Sequence, residues 1–174
     1  WIEAGRVAKA PDLQRVVVAI DPAATSGDEA DETGIVVCGH GVDGRWYVLA
    51  DRSCHLSPDG WGRRAVNAYE EFRADRIVAE VNNGGEMVHH VLQTIAPGLP
   101  FTAVHASRGK IVRAEPIAAL YEQGRVSHCG EFSELEDQMC SYTGEPGEQS
   151  PDRMDALVWA LTELQTATSR AYVL

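Results

Sequence analysis

A chain of 174 residues, 44% hydrophobic and 24% charged, has the size and make-up of one globular domain with a real core. Its formal net charge of −11 sets up an average field that repels polyanions. No apolar run approaches the ~20 residues of a membrane span, and Trp1 to Pro11 has neither the basic start nor the apolar stretch of a secretory signal.

Gln14 to Ile20 (QRVVVAI) is a β-branched run that predicts a buried strand. A small, acidic loop from Pro22 to Glu32 follows. Thr33 to His40 (TGIVVCGH) and Arg45 to Arg52 (RWYVLADR) predict two more strands, joined by Gly41-Val42-Asp43-Gly44 as an antiparallel hairpin. From Ser57 the period turns helical. Trp61, Ala65, Ala68, Tyr69 and Phe72 share a face, behind a Ser57 N-cap with Pro58 at the first helical position. Arg76 to Val81 (RIVAEV) returns to strand, Asn82-Asn83-Gly84-Gly85 breaks it, and Glu86 to Ile95 predicts a second helix.

Phe101 to His105 predicts a short strand, and Ile111 to Glu122 a helix with Gly124 at its C-terminal cap. Arg125 to His128 predicts another short strand, ahead of a helix through Leu135 and Met139. Ser141 to Gln149 is rich in Gly, Pro and Glu and predicts an exposed loop. Ser150-Pro151 then opens a last helix carrying Ala156, Leu157, Val158, Ala160, Leu161 and Leu164. The order implies an α/β fold with a mixed sheet, in which a three-strand antiparallel meander precedes alternating helix and strand, with helices on both faces.

Cys38, Cys54, Cys129 and Cys140 show no C-x-x-C pairing and read as reduced, mostly buried small hydrophobes. His89 and His90 are adjacent, so on a helix they point apart and suit surface or packing roles.

Acids stand where acids are locally costly. Asp21 ends the run VVVAI, Glu80 lies inside IVAEV, and Asp152 and Asp155 precede the apolar ALVWAL. If the first and fourth strands are parallel neighbours, Asp21 and Glu80 meet at one sheet edge, where ligands of open α/β sheets bind. The i, i+3 spacing places Asp152 and Asp155 on one helix face. Oxygen ligands gathered this way form a hard site suited to Mg²⁺ or Mn²⁺. Three of the acids also have a plainer reading, and Asp155, ahead of the apolar stripe, is harder to explain as surface decoration. Asp21 before Pro22 suits a turn, Glu80 an edge charge, and Asp152 a complement to the helix dipole.

The segments VVVAIDPAATSGDEADETGIVVCG, IVAEVNNGGEMV, KIVRAEPIAALYEQGRVSH and SPDRMDALVWAL resemble, in order, the C-terminal nuclease domain of phage terminase large subunits, from about Arg15 to Leu164. The order of elements is also that of the ribonuclease H-like fold, and the DxxDAL pattern is similar to that of Holliday-junction resolvases in the same superfamily. The resemblance implies an endonuclease that cuts concatemeric phage DNA during packaging in the host cytoplasm. Asp21, Glu80 and Asp155 would be its metal-binding catalytic acids, Asp152 a further acid, and two divalent cations ~4 Å apart its cofactors. Asp21 is then expected to bridge both ions. Lys110 and Arg113, with Arg108, are candidate phosphate contacts, although a solvated basic helix start accounts for them equally well. Asn82 and Asn83 are candidate DNA contacts, with a simple strand-to-helix turn as the alternative.

No G-x-x-x-x-G-K-[ST] phosphate loop occurs, and no initiator Met stands at position 1. The expectation is therefore a piece of a longer polypeptide whose ATPase domain lies elsewhere. The portal and the small terminase subunit are the other partners the resemblance implies. Residues 1–13 read as a linker remnant, 14–167 as the nuclease domain and 168–174 as a tail. Three rival readings are a resolvase acting on branched DNA, a DNA-docking module that does not cut, and an ATP-binding lobe. The last rests on DPAAT as an echo of a D-x-G-x-T phosphate loop, with Ala23 in the place of its glycine.

Overall fold

The computed structural model describes residues 1–22, 32–81, 85–106, 109–145 and 148–171. In chain order its elements are α1 (Ile2–Gly5), β1 (Leu13–Asp21), β2 (Gly34–Gly41), β3 (Trp46–Asp51), α2 (Pro58–Glu71) and β4 (Arg76–Glu80). There follow α3 (Gly85–Ile95), β5 (Phe101–Val104), α4 (Lys110–Glu122), β6 (Val126–His128), α5 (Ser133–Ser141) and α6 (Asp152–Ala171). The strands form one sheet in the order β5-β4-β1-β2-β3-β6. β1, β2 and β3 make the expected antiparallel meander. β4 pairs parallel with β1, and β5 parallel with β4. β6 extends the opposite edge by pairing parallel with β3.

β1 is the axis of the molecule. Val16 to Ile20 are all buried, with Val17 and Ala19 on one face of the sheet and Val16, Val18 and Ile20 on the other. A strand covered on both faces needs no polar alternate, which is why VVVAI reads as a continuous apolar run. Over the first face lie α4, α5 and α6, through Leu120, Leu135, Leu157, Leu161 and Leu164. Over the second lie α2 and α3, through Trp61, Ala65, Val88 and Leu92.

Local signals fix the helix ends. Ser57 Oγ accepts from the Gly60 amide at 3.4 Å ahead of Pro58. Gly124, at φ +66°, takes the left-handed conformation that turns the chain from α4 into β6. The segment before β1 is docked. Val7 bridges to Cys129 beside β6, and Arg6 pairs with Glu136 of α5 at 2.8 Å. At the other end, helical backbone continues through Ala171. All four cysteines are free. Among the described residues, no helix is long and apolar enough to cross a membrane.

Candidate functional site

Asp21 is the last residue of β1 and faces Gly34 across the antiparallel ladder. The neighbouring β4 runs parallel with Ile20 opposite Ala79, so Glu80 emerges at the same rim of the sheet. α6 starts over that rim, with Asp152 and Asp155 in its first turn. The four acids therefore come from three elements that are far apart in sequence.

They are strongly coupled. Asp155 is 1% and Asp152 7% exposed. Burial, followed by the charges of Asp155 and Asp152, pushes the pKa of Asp21 well above the ordinary carboxylate range; Lys110 opposes this and Glu80 adds to it. Burial pushes Asp152 up to about 6 against a hydrogen bond from Ser150 and the charge of Lys110. It also raises Asp155, although Lys110 and Arg113 pull the other way.

Two cations from the first turn of α4 lie among these acids. Lys110 Nζ forms an ion pair with Asp155 and donates to Ser150 Oγ at 2.7 Å. Desolvation works against its ammonium, but Asp155, Asp21 and Asp152 outweigh it and raise the Lys110 pKa. Arg113 spans Glu80 at 3.3 Å and Asp155 at 3.4 Å, with its guanidinium 4.7 Å from the centre of the Trp159 ring. The Trp159 indole N–H donates to Glu80 Oε2 at 2.8 Å.

As these side chains are now turned, no three Asp, Glu, His or Cys among the described residues stand close enough to hold an ion. Lys110 and Arg113 pair with Asp155 and Glu80 instead. The donor set still fits a divalent cation. It is all carboxylate oxygen, the form hard cations prefer, and burial and mutual repulsion raise the pKa of Asp21, Asp152 and Asp155, an effect that a bound cation would offset.

Asp21, Glu80, Asp152, Asp155, Lys110 and Arg113 are thus brought to one rim of the sheet. Asn82, Asn83 and Arg108 lie outside the described residues, as do residues 23–31 of the loop after Pro22, Ala23 among them. His89 is an exposed residue that stacks on Phe101 with 5.4 Å between ring centres. Sequence reasoning missed Trp159 as a partner of Glu80. The available signal was its position four residues after Asp155, on the same helix face.

A meander of three strands extended by two parallel ones, with acids at the rim of the central pair, defines a ribonuclease H-like fold. The chain belongs to the family of terminase RNaseH-like domains, whose family model matches residues 18–164. No curated protein matches the sequence. Among solved structures, the chain is similar to the nuclease domain of the large terminase subunit gp2 of bacterial virus Sf6. The TM-score is 0.67 at 18% identity, over 92% of this chain and 95% of that one. A variant of that domain has been solved with manganese. The chain is also similar to the yeast mitochondrial Holliday junction resolvase Ydc2, with a TM-score of 0.53 at 14% identity over 87% of this chain and 78% of that one. With the large terminase of bacteriophage HK97 the TM-score is 0.64 at 12% identity, and the match spans 91% of this chain but 41% of that one.

Proposed function

We propose that this domain is a divalent-metal-dependent endonuclease that hydrolyses phosphodiester bonds of double-stranded phage DNA during packaging. The observation that carries the reading is the meeting of Asp21, Glu80, Asp152 and Asp155 at one rim, with Asp155 buried. A structural role has little use for three acids with raised pKa values gathered beside a fourth. A cation-holding site has every use for them. Asp21, Glu80 and Asp155 would hold two Mg²⁺ or Mn²⁺ ions, with Asp152 as a further oxygen donor. When bound, such ions generate a nucleophile from water at neutral pH and offset charge on the attacked phosphate.

The chain's own residues do the rest. Trp159 and Arg113 both hold Glu80 at Oε2, so its carboxylate is held in place before substrate arrives. Lys110 sits at the rim with its side chain 35% exposed, and its flexible stem lets the ammonium move from Asp155 to a phosphate oxygen. Arg113, over the Trp159 ring and paired with Glu80 and Asp155, stays as a fixed positive charge beside the acids. Arg108, Asn82 and Asn83 remain candidates for further DNA contact.

The charge of −11 gives this domain a weak grip of its own. The similarity to a stretch of the much longer HK97 large terminase supports an ATPase domain in the same polypeptide as the source of DNA binding. The portal and the small terminase subunit are proposed as further partners, and the host cytoplasm as the site of action.

Plasmid nicking tests the reading. The wild-type chain should nick in Mn²⁺ or Mg²⁺ and stop with chelator, and Asp21→Asn should abolish cleavage with the fold intact. Undiminished nicking by Asp21→Asn would refute the assignment. A preference for four-way junctions over linear duplex would move it to the resolvase group instead.

A further inference from the structure

The first turn of α6 carries both Asp152 and Asp155, so whatever sets that turn sets two of the four acids. Two features outside the acid set do this. The first is Gly34. A Cβ at this position would lie 2.0 Å from the Asp152 carbonyl oxygen and 2.5 Å from its carbon. The start of α6 therefore rests directly on the backbone of β2. Gly34 is also the ladder partner of Asp21, so this close approach sets the separation between the end of β1 and the beginning of α6.

The second is Arg153, which lies between the two acids in sequence and is 9% exposed. Its Nε and Nη2 donate to the two oxygens of Glu32 at 2.9 and 2.5 Å. Nη1 donates to Asp51, at the end of β3, at 2.6 Å, and Nη2 lies 2.7 Å from Glu134 of α5. Asp51 is itself anchored. It accepts from the Ser53 amide at 3.0 Å and from Ser53 Oγ at 2.6 Å, and Ser53 Oγ accepts from the Ile35 amide at 2.9 Å.

Gln138 of α5 completes the arrangement. Its Oε1 accepts from the amides of Arg153 and Met154 at 3.0 and 3.3 Å, which are among the amides a helix start leaves unpaired. Its Nε2 donates to Glu32 at 3.1 Å. With its donors engaged on three acids, Arg153 is committed to the protein rather than to phosphate. A planar fork that reaches Glu32 twice and Asp51 once fixes both the place and the rotation of the turn, which a lysine cannot do.

We propose that Arg153, seated by Glu32 and Asp51, and Gly34 are positioning residues that hold the Asp152–Asp155 turn against the end of β1. The proposal rests on the reading of this rim as a cation-holding nuclease site. Neither residue touches the reacting atoms. Both act through the backbone of α6.

The test compares Arg153→Met, Arg153→Lys and Gly34→Ala in the whole chain, with Leu164→Ala as a control that loosens the same helix from its far end. One readout needs no metal. It is the indole N–H resonance of Trp159, which is bonded to Glu80 and lies about one turn beyond Asp155, assigned by Trp159→Phe. The other is the Mg²⁺ concentration that gives half of the full thermal stabilisation.

Arg153→Met and Gly34→Ala should move the Trp159 resonance in metal-free protein and raise the half-saturating Mg²⁺ by ~10-fold or more, as loss of supporting groups around a metal site does. Arg153→Lys should fall between them and wild type, and it carries the test if the Met variant does not fold. Leu164→Ala should melt earlier with both readouts unchanged. Variants that only melt earlier, with the Trp159 resonance and the Mg²⁺ midpoint at wild-type values, would overturn the proposal. If the resonance moves as expected while wild type itself gains nothing from Mg²⁺ or Mn²⁺, the positioning role stands and the nuclease reading falls.

Discussion

Replacing a site acid should make the metal-free protein more stable, and the sign can be worked out from Asp152. Burial raises this carboxyl from an ordinary 3.8 to about 6. A group whose folded pKa lies above its unfolded one gives the folded state more bound protons, so stability falls as pH rises through that window. The gap corresponds to at most about 3 kcal/mol, fully expressed above pH 6 and absent near pH 4. Asp152→Asn removes the ionisation and keeps an oxygen that can accept from Ser150. In chelator at pH 7.5 the variant should therefore melt higher than wild type, by roughly 3 to 10 °C for a domain of this size. Burial also lowers the pKa of His128, which makes both proteins less stable toward acid. Because that contribution is common to the pair, the variant-minus-wild-type difference isolates Asp152. Thermal melts followed by circular dichroism from pH 4.5 to 7.5 give this difference directly. Saturating Mg²⁺ should shrink or reverse it, since only wild type offers the full donor set. A variant no more stable than wild type at pH 7.5 would show that burying the Asp152 carboxylate at the rim carries no free-energy cost, and the reasoning would fail with it.

Other perturbations bear on the same site. Lys110→Met leaves Asp155 with Arg113 alone as a counter-charge. The metal-free protein should lose about 1–3 kcal/mol, with more of the loss recovered on adding Mg²⁺ than wild type gains, as read from melting midpoints with and without the ion. Trp159→Phe keeps the ring but drops the 2.8 Å bond to Glu80. It should cost about 1.5–3 kcal/mol of stability and lower nicking ~10-fold at unchanged secondary structure, measured by denaturant titration and a plasmid assay. The dependence of plasmid nicking on salt should be shallow, with a log–log slope corresponding to no more than ~3 neutralised phosphates, since few cations at the rim are available to DNA.

How much of this was legible in the chain depended on the range of the interaction. Asp21 and Glu80 stood out because each interrupts or ends an apolar strand, and a strand's period of two leaves such an acid no comfortable place. Asp152 and Asp155 stood out through their i, i+3 spacing, and Ser57-Pro58 and Gly124 through local backbone chemistry. Each of these signals lies within a few residues. The docking of β6 on β3 was not legible, because three residues, Val126–His128, carry no statement about their partner. Gly34 reads as an ordinary strand residue in TGIVV, and its need for room appears only when α6 is laid across it. Arg153 reads as a surface charge in a helix start until Glu32, 121 positions earlier, is brought beside it. Trp159 reads as core and does pack there, while its one polar atom serves the rim.

The acidity of the domain, at first sight an obstacle for a DNA enzyme, follows from where its cations are engaged. Of 15 Lys and Arg, at least eight form ion pairs with acids of the same chain: Arg6, Arg15, Arg52, Arg63, Arg76, Lys110, Arg113 and Arg153. Three of these serve the acids at the rim or the turn that carries them. With Asp21, Glu80, Asp152 and Asp155 ionised and Lys110 and Arg113 charged, the rim carries two net negative charges, and burial first, with that excess second, raises the pKa values of three of its acids. On the proposed function, such a rim would repel a phosphate until cations arrive and attract one afterwards, so metal and DNA would depend on each other for binding. On that function, the same charge that would weaken DNA binding by the bare domain would make cutting conditional on a filled site, and on a partner that brings the duplex to it.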